Sequence, residues 1–142
     1  MSQKINFSSV KDSNWQIEEL PGLSEDEINN LKNCGVTSTF ALIKQGKNLQ
    51  EKLLLAQKLE VNIQHVNKWV ALADLARIPS VGIQHCGLLL HAGIASVMQL
   101  VTTPPHRLHR QILRFQVATL QRRDLCPAVE QVQQWIQEAK KL

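Results

Sequence analysis

The chain resembles itself. Sliding it by 58 residues lays LPGLSEDEINNLKNCGVTSTFALI, residues 20–43, over IPSVGIQHCGLLLHAGIASVMQLV, residues 78–101. Pro21 meets Pro79, Leu31 meets Leu89, Gly35 meets Gly93, Ser38 meets Ser96 and Leu42 meets Leu100. Leu23/Val81, Val36/Ile94, Phe40/Met98 and Ile43/Val101 exchange one apolar residue for another. Further on the offset grows to 66, and VNKWVALA lies over VQQWIQEA, so that Val66 meets Val132, Trp69 meets Trp135 and Ala73 meets Ala139. The second copy thus carries about eight extra residues, in a stretch punctuated by Pro104, Pro105 and Pro127. Self-similarity of this kind signals one supersecondary unit used twice, because a unit that small cannot bury its own apolar face. The expected organisation is an N-terminal segment over 1–16, a first helical repeat over 17–74 and a second over 75–142, packed into one domain.

Each copy reads as helices. Ser24 followed by Glu27 has the form of a capping box, with Glu25 and Asp26 where a helix start favours negative charge. Ile28 and Leu31 continue at helical spacing, and Gly35 is a natural stop after Cys34. Ser38 opens a second helix carrying Phe40, Leu42 and Ile43. A third is expected from about Leu49 to Leu59, and a fourth around Gln64 to Ala76 carries Val66, Trp69, Val70 and Ala73. The second copy repeats the plan, with a long helix from roughly His106 to Arg123. Apolar and polar residues nowhere alternate along a Val- or Ile-rich run, so no strand is expected and the fold class is all-α.

Charge separates the two copies. Residues 1–70 hold eight Lys and eight acids, whereas 71–142 hold six Arg and two Lys against four acids, so the net +4 lies wholly in the second. An anionic partner should therefore meet the second half. The three cysteines cannot all pair within the chain, and the N-terminus MSQKINFSSVKDSNW has no apolar run. Both point to a reduced, cytoplasmic setting, and no apolar stretch is long enough to span a bilayer.

Arg107, Arg110 and Arg114 fall at i, i+3 and i+7, which at about 100° per residue puts them on one helix face, with Arg122 not far round. Leu108, Ile112 and Phe115 form an apolar stripe beside them. Arginine suits phosphates and carboxylates because its guanidinium is a planar fork. His106 and His109, one turn apart, are read as extending that basic face and charging below about pH 6.5. The bland alternatives are a solvated face or pairing with the acids of the first half.

Trp69 and Trp135 occupy matching positions behind a valine, as core residues do, and Trp15 reads as a lid. Cys86 aligns with Ile28 and Cys34 with Ala92, so both read as apolar slots rather than metal ligands. The histidines and cysteines of the second copy form no Cys-x-x-Cys spacing, and no metal or other cofactor is expected. There is no P-loop, no Gly-x-Ser-x-Gly and no His-Glu-x-x-His, so the chain reads as a non-enzyme without a small-molecule substrate.

Pro21-Gly22-Leu23-Ser24 and Pro79-Ser80-Val81-Gly82, each followed by a helix, a glycine and a second helix, resemble the helix-hairpin-helix motif. Over nearly its whole length the chain resembles the bacterial family called domain of unknown function 4332, described as helix-hairpin-helix-like. WVALADLARIPSVGIQHCGLLLHAGIASV and PPHRLHRQILRFQVATLQRRDLCP carry that likeness most strongly. The resemblance implies a fold, and it implies hairpins whose backbone N–H groups meet a nucleic-acid phosphate. Ser24 replaces a glycine in the first hairpin, and Glu25, Asp26 and Glu27 would repel a phosphate there. The second keeps Gly82, has Ser80 at the other glycine position, and is the one that could accept a phosphate. Two functions remain open: binding of a DNA or RNA backbone through the Arg helix and the Ser80–Gly82 hairpin, or a protein-interaction scaffold for an acidic or apolar partner surface.

Overall fold

A computed structural model describes residues 12–117 and 126–142. The protein is all-α. A short 3-10 turn over Ile17–Glu19 leads into α1 (Glu25–Asn33), α2 (Thr39–Gln45), α3 (Leu49–Leu59) and α4 (Ile63–Ala76). Then follow α5 (Gly82–His91), α6 (Val97–Val101), α7 (Pro105–Phe115) and α8 (Val129–Lys140). Among the described residues the sole extended pairing is an isolated antiparallel bridge between Gln16 and Ser38.

Local chemistry sets the boundaries. The Ser24 hydroxyl accepts from Glu27 N at 3.1 Å, and Glu27 Oε1 accepts from Ser24 N at 2.8 Å, closing the expected capping box. At the other end of α1, Gly35 has φ +86° and donates to Lys32 O, while Val36 donates to Leu31 O at 2.9 Å. That Schellman arrangement needs a left-handed residue, which glycine supplies without steric cost. Residues 58 further on end α5 the same way: Gly93 has φ +99° and donates to Leu90 O, and Ile94 donates to Leu89 O at 2.9 Å. Ser38 caps α2 by accepting from Ala41 N, and Ser96 caps α6 by accepting from Gln99 N. Asn48 and Asn62 cap α3 and α4. The long helix expected from His106 to Arg123 is seen as α7 up to Phe115; residues 118–125 lie outside the described part.

Helix α4 runs through the middle, packed against α2, α3 and α5, while α8 packs against α6 and α7. The buried side chains form one continuous cluster drawn from all of them. Trp69 and Trp135 are 1% and 0% exposed, and Val66, Val132, Ala73 and Ala139 are buried beside them. Cys86 is buried too, and burial pushes its thiol up to about 11, which leaves it an unreactive apolar residue.

The chain ahead of Ile17 is built into this core. Trp15 N donates to Thr39 Oγ1 at 3.0 Å, Thr39 N donates to Trp15 O at 2.8 Å, and the indole Nε1 donates to Ala76 O at 2.9 Å. Ser13 N donates to Arg77 O at 2.9 Å, and Arg77 pairs with both Asp12 and Asp74. The second carboxylate oxygen of Asp74 accepts from Val97 N at 2.8 Å, at the start of α6. Residues 12–17 therefore tie the start of α2 to the end of α4. Among the described residues no helix is long and apolar enough to cross a membrane.

Candidate nucleic-acid interface

Helix α7 begins at Pro105, whose ring presets the helical φ and whose missing N–H costs nothing at a first position. Leu108 and Ile112 are fully buried and Phe115 half-buried, so the inward face is set. At about 100° per residue, Arg107, Arg110 and Arg114 then fall within an arc of about 60° on the outward side. All three are exposed, and none makes an ion pair among the described residues. His106 is exposed next to Arg110. A polar cleft of about 240 Å³ opens beside Arg107, walled by Gly93, Gln99, Thr102, Thr103 and Gln111.

Other expected participants sit elsewhere. His109 falls on the opposite flank of α7, half-buried, with Nε2 3.7 Å from Cys126 Sγ. The (i, i+3) step from His106 carries it round, away from the arginines. Burial raises the Cys126 thiol above its ordinary value. Arg122 lies outside the described residues.

The loop before α5 is engaged internally. Ser80 N donates to Glu138 Oε1 at 2.9 Å and Ser80 Oγ donates to Glu138 Oε2 at 2.5 Å. Gln134 Nε2 donates to both Ser80 Oγ and Glu138 Oε2, each at 3.0 Å. A carboxylate of α8 thus occupies the Ser80 donors. Gly82, at φ +51°, is buried under Trp15; a Cβ there would lie 3.1 Å from the indole ring, and its N–H donates to Ile78 O.

Sequence reasoning missed both Glu138 and Lys68. The Lys68 ammonium and its neighbouring carbon lie 3.7 Å from where a Gly22 Cβ would stand, so a cation reaches the first loop from α4. Glu25 and Asp26 stay exposed at the start of α1. Among the described residues no three His, Cys, Asp or Glu side chains converge as a metal site would require.

A family model described as Domain of unknown function (DUF4332) matches residues 21–142. No match to the chain was found among curated proteins or solved structures.

Proposed function

We propose that this chain, which belongs to the family described as Domain of unknown function (DUF4332), is a non-catalytic module that binds the phosphate backbone of a nucleic acid. The observation that carries this reading is the outward arc of Arg107, Arg110 and Arg114, three exposed guanidiniums without an internal counter-ion among the described residues. Fork-shaped donors in a row along one helix suit a line of phosphates. His106 extends the arc, and the cleft beside Arg107 adds hydroxyl and amide groups at its edge. The matched helix ends at Gly35 and Gly93 support two helix-hairpin-helix-like units as the underlying scaffold. The contact is assigned to α7 rather than to the loop before α5, since Ser80 already has an anion in Glu138.

A second reading rests on that same pair of bonds. With the Ser80 donors taken and three acids at the start of α1, backbone N–H groups contribute little to phosphate binding. An acidic protein surface would then be the partner of the arginine arc.

Salt separates the two. Anisotropy of a labelled 20-base-pair duplex and of a single strand should show affinity falling steeply with salt, with a log–log slope of about −0.9 per phosphate contacted on the duplex. Arg107→Ala, Arg110→Ala and Arg114→Ala should each flatten that slope by roughly one contact. Absence of binding to DNA and RNA at low salt overturns the nucleic-acid reading, and a stoichiometric acidic protein lost by the triple variant would establish the other.

A further inference from the structure

The outward face of α3 carries three leucines on either side of Gln50 and Gln57. Leu49, Leu53 and Leu54 are 65%, 47% and 50% exposed, while Leu55, Ala56 and Leu59 of the same helix enter the core. Single exposed leucines are ordinary, but three on one helix of 11 residues form a patch that water disfavours. Charges bracket the patch with opposite signs: Lys47 stands just ahead of the Asn48 cap, and Glu60 is the C-cap residue. Both are exposed and neither forms an ion pair among the described residues.

This pattern is self-complementary. An isologous two-fold contact requires that each residue i meeting j be matched by j meeting i. Lay a second α3 antiparallel on the first, with the axis between residues 53 and 54. Leu53 of one copy then faces Leu54 of the other, and Gln50 faces Gln57. Lys47 of each copy reaches Glu60 of the other, so the ends close with two ion pairs. In a parallel arrangement the same charges would meet their own kind.

We propose that the α3 face docks a second copy of this chain in this antiparallel register. The contact is separate from the arginine arc on α7 and does not depend on it. A helix of this length spans only about 16 Å, so the interface is small and the dimer transient.

Sedimentation velocity on the full chain, from about 10 μM to about 1 mM, tests it. Wild type should pass from monomer to dimer over that range. Leu53→Glu should remain monomeric throughout with an unchanged helical melting curve, since the side chain it replaces is exposed. Lys47→Glu and Glu60→Lys should each weaken the dimer about 3–10-fold, and the double reversal should restore it, because opposite signs again meet. A wild-type chain still monomeric at the top of the range overturns the proposal. So does a dimer indifferent to Leu53→Glu, or one that the double reversal fails to rescue.

Discussion

The two halves of the molecule carry a similar interior and different exteriors. Gly35 and Gly93 end a helix by the same pair of bonds, Ser38 and Ser96 begin the next, and Trp69 and Trp135 are buried behind Val66 and Val132. Outside, α3 shows leucines where α7 shows arginines. The matching clefts differ as well: one is walled by Gly35, Ala41, Lys44, Gln45, Lys47 and Glu51, the other by Gly93, Gln99, Thr102, Thr103 and Arg107. Interior positions are limited by volume and by the geometry of helix ends, whereas an outward side chain answers to solvent or a partner alone. What this protein recognises should therefore be sought where the halves disagree.

The sharpest trial of that comparison is the tryptophan pair. Trp69→Ala and Trp135→Ala should each cost about 3–5 kcal/mol in chemical denaturation. A large inequality between them would mean that the matching positions do different jobs. Smaller, but paired in the same way, are the caps: Ser38→Ala and Ser96→Ala should each lower stability by about 1 kcal/mol. The least effect is expected where the halves differ. Burial holds His85 below its ordinary value, with its ring 5.1 Å from that of Trp135, while the matching position of the first half is Glu27, part of the α1 cap. The unfolded chain then binds the His85 proton more tightly than the folded one. Stability is complete above the unfolded value of about 6.5 and declines as pH falls through the lower folded value. Melting temperatures between pH 8 and pH 5 should show a shallow fall that His85→Gln reduces; an unchanged fall would remove His85 as its cause.

Much of this architecture was legible because it is written locally. The capping box at Ser24, the glycine stops, and α3 from Leu49 to Leu59 each depend on residues within a few positions of one another. The placement of Arg107, Arg110 and Arg114 followed from helical period alone. His109 departs from the expected basic face because one turn along a helix does not keep two side chains on the same flank; its ring turns toward Cys126. The bonds from Ser80 to Glu138, and from Trp15 to Thr39 and Ala76, leave no periodic trace. They join positions tens of residues apart, and Glu138 reads from sequence as one more surface acid on an amphipathic helix.

The segment from Asp12 to Gln16 lies wholly outside the stretch that the family model covers. Yet it is the stitch between α2 and the turn that follows α4. A fragment trimmed at residue 21 would keep every matched position and lose that stitch, uncovering Gly82 and leaving Arg77 with Asp74 but without Asp12. Such a truncated chain would make a poor stand-in for the native protein, however faithfully it follows the boundaries of its family.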